Sequence, residues 1–352
     1  MFGQSLLSGA FGTPPPVPDE NFDTKIYSTA TSPNSITGLN FQPDLTWVKS
    51  RSYAYSHILA DSVRGLGNDK MLISNFNGEE GSTDASNANA QVYGYISSLD
   101  STGFTATSGT SNGSFVGASG AGDYVSWNWK GGGTAVSNGT GSTTSQVSAN
   151  TAAGFSIATY TGTGSAATFG HGLTSAPEFV LIKSISNTEN WFAWSKDLTA
   201  YHYELSLNGD GAEYNSAGAM FAAAPTSTLL SIGTDGWVNG SAQEYICYAW
   251  HSVAGYSKIG SYTATQTTGS PTITTDFEPK WIMIKNIDRT QEWVIIDSVR
   301  GNNPGETLIP NEAYAEFTGN SIIFSSTGFT INASGGAINY ATGETMIYMA
   351  FA

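Results

Sequence analysis

The sequence contains a single cysteine, Cys247, and few charged residues. Only 12% of the 352 residues are Asp, Glu, Lys or Arg, yet no apolar run approaches the roughly 20 residues needed to span a bilayer. One cysteine excludes an intrachain disulfide framework and any multi-cysteine zinc or iron–sulfur cluster. No Lys or Arg precedes Lys25, so the positive region of a secretory signal is missing. We therefore expect no signal peptide and no membrane insertion.

Basic residues are scarce. The chain has 13 Lys and Arg against 28 Asp and Glu, which gives a formal net charge of −15. A surface of that sign repels phosphate backbones and anionic lipid headgroups, so we expect no nucleic-acid partner. The length allows two or three compact domains and makes a single small module impossible.

Aromatic residues and small polar residues are abundant. Aromatics make up 12% of the chain, and 41 glycines punctuate it. Runs of four to seven β-branched and aromatic residues are bounded by Gly, Asn, Ser and Pro, and no long stretch has helical periodicity. This pattern is typical of short antiparallel strands joined by turns.

The strongest feature is internal repetition. Lys49, Lys183 and Lys285 each lie six residues after a proline, namely Pro43, Pro177 or Pro279. The three copies stay aligned without gaps at the positions fourteen and eighteen residues after each proline. The residues at these two offsets are His57, Trp191 and Trp293, then Asp61, Ser195 and Asp297. Each copy ends in an aromatic strand, at 124–129, 245–250 and 346–351. A fixed register of this length indicates three copies of one module.

We predict an all-β fold of three tandem antiparallel β-sandwich modules, jelly-roll or lectin-like, preceded by an extended N-terminal arm. The predicted boundaries are the arm at 1–21, module 1 at 22–132, a linker at 133–153, module 2 at 154–253 and module 3 at 254–352. The linker is expected to be flexible or to lie on the surface, because the stretch 131–144 is dominated by Gly, Ser and Thr.

One strand in each copy is apolar at nearly every position. These runs are 45–48, 179–182 and 281–284, whereas a half-exposed strand alternates apolar and polar residues. Both faces of the sheet should therefore be covered, either by a neighbouring module or by another protomer. We expect a homo-oligomer, with a trimer favoured.

Two ion pairs recur at strand ends. Asp61 and Arg64, like Asp297 and Arg300, are three residues apart, which suits a local turn closed by a charge-assisted hydrogen bond. The second copy has Ser195 at the equivalent position. Recurrence in two copies of three favours a structural turn over a catalytic role.

Signatures of catalysis and of metal binding are missing. The four histidines, His57, His171, His202 and His251, show no metal-ligand spacing, and no nucleophile elbow or phosphate-binding loop occurs. Glu79 and Glu80 are the obvious carboxylate pair for glycoside hydrolysis, but they lie in an excursion, 76–84, that is unmatched in the other copies and suits a solvated loop. The stretch 208–211 is a turn that only partly matches a calcium loop. We predict no catalytic, cofactor-binding or metal-binding residues.

Two groups of apolar residues leave alternatives open. The nine tryptophans all fall inside the modules, where they serve either as core residues or as carbohydrate-stacking platforms. The N-terminal arm spaces Phe2, Leu6, Leu7 and Phe11 among small residues before a proline-rich stretch. Such a segment is either a disordered tail or a peptide that docks on a partner, and we predict docking through these four residues.

Several stretches carry a family resemblance. The segments 41–51, 61–65, 151–164, 170–177, 255–263 and 347–352 resemble a repeat module of structural proteins from marine tailed bacteriophages, cyanophages and related viruses. Members of that family are generally described as virion proteins, often tail-fibre or fibre-like, with no established catalytic residues. The resemblance implies assembly in the bacterial cytoplasm, a location in the virion, and other virion proteins as partners of the arm.

The resulting expectation is a non-enzymatic tail-fibre or fibre-like protein that displays its modules for attachment to a host-surface glycan or protein. Two alternatives stay open. One is a capsid decoration or cement protein that bridges shell subunits, and the other is a glycan depolymerase.

Overall fold

A computed structural model describes residues 16–82, 90–301 and 305–352. Within these residues the helical elements are short: a 3-10 turn at Pro18–Glu20 and two four-residue helices, Ala90–Tyr93 (α1) and Gly236–Asn239 (α2). The other regular elements are strands, and every pairing between them is antiparallel. The fold is therefore all-β with several antiparallel sheets, as the composition and turn pattern predict. No helix of the described residues is long and apolar enough to cross a membrane.

The first segment, residues 22–132, forms two sheets. Its strands are β1 (Phe22–Ser28), β2 (Asn34–Thr37), β3 (Leu45–Ser50), β4 (Ile58–Asp61), β5 (Leu72–Ile73), β6 (Tyr95–Asp100), β7 (Gly103–Thr107) and β8 (Asp123–Trp129). The larger sheet has the order β1-β8-β3-β4-β5, and the smaller has the order β2-β7-β6.

The second segment, residues 133–253, has a larger main sheet. Its strands are β9 (Val136–Asn138), β10 (Ser145–Asn150), β11 (Phe155–Thr161), β12 (Ala167–Gly170), β13 (Phe179–Ser184), β14 (Phe192–Ser195), β15 (Tyr203–Ser206), β16 (Tyr214–Asn215), β17 (Phe221–Ala223), β18 (Leu229–Ile232) and β19 (Glu244–Trp250). The main sheet runs β16-β15-β14-β13-β19-β11-β10-β9, and the smaller sheet runs β12-β18-β17.

The third segment, residues 254–352, has two sheets and a short ribbon. Its strands are β20 (Ser257–Thr263), β21 (Thr272–Thr274), β22 (Trp281–Asn286), β23 (Val294–Asp297), β24 (Glu306–Thr307), β25 (Phe317–Thr318), β26 (Ile322–Ser325), β27 (Gly328–Ile331) and β28 (Thr345–Phe351). The sheets run β20-β28-β22-β23 and β21-β27-β26, and β24 pairs with β25.

The predicted linker contributes strands of its own. β9 and β10 both lie within 133–153, and β10 pairs along its length with β11 of the second segment. The structure thus differs from the flexible alternative, whereas most of residues 133–144 are exposed, as a stretch lying on the surface would be. Few apolar side chains are needed for an edge strand, because its backbone N–H and C=O groups supply the pairing.

The strand after each repeated proline lies at the centre of its main sheet. β3, β13 and β22 each begin two residues after the proline, and all six residues of each are buried. The residue between proline and strand donates its backbone N–H to the last residue of the closing strand. These bonds join Asp44 to Trp129 (2.8 Å), Glu178 to Trp250 (2.7 Å) and Lys280 to Phe351 (2.7 Å).

The two faces of these central strands have different neighbours, all from the same chain. In the first segment, Val48 packs in a cluster with Ile96 and Phe104 of the smaller sheet, whereas Trp47 and Trp127 belong to a cluster that extends into the other two segments. In the third segment, one face of the central strand likewise packs against the smaller sheet, and the other face belongs to the cluster that extends across the segments. Because the chain covers both faces itself, these apolar strands no longer argue for a homo-oligomer, which stays a prediction.

Large aromatic residues fill the place where the three segments meet. The ring of Trp129 lies 6.2 Å from that of Trp250, 5.8 Å from Phe351 and 5.6 Å from Trp281, centroid to centroid. Trp129, Trp250 and Phe351 are the last residues of the three closing strands. One hydrophobic cluster therefore joins all three segments.

We expect Trp129→Ala to lower the free energy of unfolding by about 3–5 kcal/mol, because it removes a buried indole from the shared cluster. Wild-type protein should unfold in one calorimetric transition, since the cluster couples the segments. Separate transitions for the segments in the wild type would contradict this coupling.

Candidate functional site

The two predicted turn pairs are buried where segments meet. Arg64 Nε lies 2.6 Å from Asp61 Oδ2, and Arg300 Nε lies 2.6 Å from Asp297 Oδ2. Each aspartate also accepts the backbone N–H of its arginine at 2.9 Å. All four side chains are at most 1% exposed. A local turn with a charge-assisted hydrogen bond is thus present at both positions.

Each aspartate also binds a neighbouring segment. Tyr248 Oη of the second segment donates to Asp61 Oδ2 at 2.7 Å. Trp127 Nε1 of the first segment donates to Asp297 Oδ2 at 2.9 Å. Burial lowers the pKa of Arg64, but the nearby charges, Asp61 foremost, outweigh this effect and raise it above its ordinary value. The turn pairs therefore hold segments together as well as closing turns.

The junction between the second and third segments lacks both halves of this contact. Its equivalent of Asp61 and Asp297 is Ser195. The position of Trp127 and Tyr248, two residues before the end of the closing strand, is Met349 in the third segment, and methionine has no hydrogen to donate. A buried aspartate at position 195 would have no hydrogen-bond donor at Met349 and would be an unpaired charge. The absence of the acid is therefore consistent with the absence of the donor.

A second carboxylate completes each pair. Glu80 Oε2 lies 3.3 Å from Arg64 Nη1, and its other oxygen lies 2.6 Å from Lys70 Nζ. Glu316 occupies the equivalent place beside Arg300, at 2.8 Å. The prediction that 76–84 is an unmatched, solvated excursion was wrong for Glu80, which is ion-paired and half-buried; Glu79 is exposed. The sequence signal that could have indicated this contact is a glutamate at nearly the same separation from each of the three repeated prolines.

Three glutamates at corresponding positions of the segments, Glu80, Glu213 and Glu316, also connect the segments through their backbone N–H groups. Glu80 donates its N–H to Ile185 O at 3.2 Å, which links the first segment to the second. Two further bonds link the second segment to the third and the third to the first: Glu213 N to Ile287 O (2.8 Å) and Glu316 N to Arg51 O (2.8 Å). The three segments thus contact one another in a closed cycle.

The repeated lysines are buried at these junctions. Lys49 Nζ donates to the carbonyls of Ser50 (2.8 Å) and, across the junction, of Ala313 (3.3 Å). Burial lowers the pKa of Lys49 and of Lys183 to about 7, and that of Lys285 to about 8. Because these folded-state values lie below the unfolded value, the unfolded chain binds more protons, and stability should rise with pH above about 7.

The histidines are dispersed. His57 and His171 are buried, His251 is nearly so, and His202 packs between Tyr201 and Tyr203. Burial lowers the pKa of His171 to about 4. Across the described residues, no group of three His, Cys, Asp or Glu side chains is arranged to hold a metal ion.

The stretch 208–211 and Cys247 have structural surroundings. Asn208 Oδ1 accepts the N–H of Trp191 at 2.8 Å, and Asp210 O accepts the N–H of Gln291 at 2.8 Å. Cys247 is a buried free thiol, and burial raises its pKa. These residues lie at junctions or in the core rather than facing a common cavity.

The tryptophans are core residues. Eight of the nine are buried, and Trp237 is half-buried. Exposed aromatic surface comes from tyrosine and phenylalanine instead: Tyr53, Tyr201, Tyr214, Tyr314, Phe317 and Tyr340.

Several grooves lie along the junctions. One, of about 900 Å³, lies between the first and second segments, and its polar lining includes Asp44, Lys130 and Asn150. Another, of about 390 Å³, lies between the first and third segments and is lined by Tyr55, Phe115 and neighbouring residues. The predicted anchoring residues Phe2, Leu6, Leu7 and Phe11 lie outside the described residues.

The chain belongs to the family DUF7483, a domain of unknown function, whose model matches residues 17–352. The match spans all three segments as one unit, in agreement with their shared core. No curated protein matches the chain.

Removing one junction carboxylate should be costly. Asp297→Ala removes the buried acceptor that Arg300 Nε shares with the indole N–H of Trp127, and Glu316 is left as the carboxylate bound to Arg300, so we expect the unfolding free energy to fall by about 3–5 kcal/mol. The matched control is Ser195→Ala, which removes a neutral group at the equivalent position and should cost about 1 kcal/mol or less. Denaturant unfolding measures both, and equal losses would refute a junction role for Asp297.

His57 should make the protein sensitive to acid. Its Nδ1 accepts from Trp47 Nε1 at 3.0 Å, its Nε2 lies 3.0 Å from Ile309 O, and burial, with Lys49 and Arg300 nearby, lowers its pKa well below the ordinary value. The neutral ring is therefore favoured on folding, and this contribution is lost as pH falls below about 6.5.

His57→Gln keeps a donor and an acceptor without titrating. We expect its thermal midpoint to fall less than that of the wild type between pH 7 and 5. Identical pH profiles for the two proteins would contradict the assignment of this sensitivity to His57.

Proposed function

We propose that this chain is a non-enzymatic structural protein of a bacteriophage virion, a tail-fibre or fibre-like component that displays β-sandwich modules for attachment to the host surface. The virion assignment comes from the resemblance of the repeated stretches to modules of marine phage structural proteins. The single observation that best supports a display role is the closed cycle of contacts among the segments, which makes one rigid body of them.

We further propose that the three segments are copies of one jelly-roll or lectin-like sandwich. In the three main sheets, β1, β11 and β20 pair with the closing strands β8, β19 and β28. These pair with the strands after the proline, β3, β13 and β22, which pair in turn with β4, β14 and β23. A smaller three-stranded sheet accompanies each main sheet. The registers agree as well, because Trp129, Trp250 and Phe351 each pair with the first residue of the strand that follows the proline.

A rigid arrangement of three modules suits attachment to a repetitive surface. Junction bonds hold the modules at fixed separations, so weak sites on one chain, multiplied by copies on one particle, would act together. The buried ionisable groups around Arg64 and Arg300 already bind one another, which supports a non-enzymatic role.

The arm predicted at residues 1–21 is the proposed anchor to other virion proteins. Its support is the apolar spacing of Phe2, Leu6, Leu7 and Phe11 before the proline-rich stretch. The chain then enters β1, which pairs along its whole length with β8, so the arm would connect directly to the rigid body.

A capsid decoration protein is the second candidate. A compact body with exposed apolar side chains on separate segments, such as Ile26, Val136 and Tyr314, could bridge neighbouring shell subunits. Copy number separates the two roles, because shell-wide binding requires hundreds of copies, whereas a fibre or tail component requires about three to eighteen under closed symmetry.

The test is to locate and count the chain in the intact virion by cryo-electron microscopy. We expect a low copy number at the tail or a vertex, with residues 1–21 buried in a neighbouring protein. Hundreds of copies on the shell would favour decoration, and absence from the particle would refute both roles. Release of sugars from host polysaccharide that is abolished by Glu80→Gln would instead reveal a depolymerase.

A further inference from the structure

We propose that the groove between the first and third segments binds a neutral saccharide of one or two rings. This site is a specific form of the proposed attachment function and therefore rests on it. The groove, hereafter the aromatic groove, has a volume of about 390 Å³ and is lined by Ala54, Tyr55, Ser56, Tyr93, Asn112, Ser114, Phe115 and Ala313. That volume lies in the range of small-ligand sites.

Four aromatic rings form a continuous row at this groove. The ring centroid of Tyr55 lies 5.4 Å from that of Tyr53 and 6.2 Å from that of Phe115, which in turn lies 5.1 Å from Tyr93. Tyr55 is half-buried and Tyr53 is exposed, so the row continues from the groove to the surface. A sugar's C–H face packs against rings of this kind as other apolar groups do.

Polar groups accompany the rings without adding formal charge. The amide of Asn112 and the hydroxyls of Ser56 and Ser114 belong to the lining, and none of its described residues is Asp, Glu, Lys, Arg or His. Hydroxyl groups of a sugar can exchange hydrogen bonds with amides and hydroxyls. A neutral lining on a chain of net charge −15 disfavours an anionic ligand, so a neutral saccharide fits best.

The walls of the groove are held in place before any ligand binds. Lys49 Nζ donates to Tyr53 O and to Ala313 O, both at 3.3 Å, and so ties the first-segment wall to the third-segment wall. Arg51 binds Glu316 across the same junction at 2.8 Å. A preorganised site loses less conformational entropy on binding, which gives the buried lysine a positioning role.

The equivalent loops of the other segments have different chemistry. Where the first segment has Tyr53 and Tyr55, the second has Asn187 and Glu189, and the third has Arg289 and Gln291. The row of rings is thus not required by the shared fold. It distinguishes one junction from the other two and provides internal controls.

The experiment is titration of the full-length protein with neutral glucose, galactose and mannose oligosaccharides, followed by calorimetry and by saturation-transfer NMR. Ala54 is exposed and lines the groove, so Ala54→Arg should block it without removing a packed side chain. We expect at least about tenfold weaker binding, equivalent to about 1.4 kcal/mol. Thr188→Arg, at the equivalent exposed position of the second segment, should bind like the wild type.

A second pair of variants tests the ring itself. Tyr55→Phe keeps the ring and should retain binding, whereas Tyr55→Ala should lose it. No binding of these sugars by the wild type at millimolar concentration, or equal binding by Ala54→Arg and Thr188→Arg, would overturn the site. Virion location is measured separately, so a virion protein that binds no sugar refutes the groove alone.

Discussion

Burial of the central strands on both faces is the constraint on which the rest of this structure depends. β3, β13 and β22 are apolar at successive positions, so each needs a smaller sheet on one side and neighbouring segments on the other. Packing the three main sheets against one another satisfies all of them at once. The aromatic cluster at Trp129, Trp250 and Phe351 is the consequence, and it makes the three segments a single hydrophobic unit.

The polar chemistry of the protein follows from that arrangement. Residues at the edges of the inward faces, such as Asp61, Asp297 and His57, are buried between segments and must find partners there. They find them in Tyr248, Trp127 and the carbonyl of Ile309, respectively. The charged and titratable groups therefore act mainly as junction contacts, which leaves neutral aromatic and polar residues to form the groove proposed for ligand binding.

Repetition with divergence connects the fold to the proposed function. A common register keeps the backbone contacts at Glu80, Glu213 and Glu316, and side chains at the same junctions have diverged. Ser195 and Met349 replace an acid and a donor together, and the loop with Tyr53 and Tyr55 is aromatic in the first segment alone. A chain that keeps a rigid body while varying its loops can gain a binding surface without losing stability.

The sequence by itself determined the all-β class, the positions of the proline-led and closing strands, and the need to cover both faces of the central sheet, because these depend on local residue patterns. It left open whether the cover is a module or a protomer, and it could not show that Glu80 binds Arg64 or that Tyr55 meets Phe115 beside a groove. The predicted linker also became β9 and β10. Only the tertiary structure decided these points, since they depend on distant residues brought together by packing and on backbone hydrogen bonds that carry no side-chain signature.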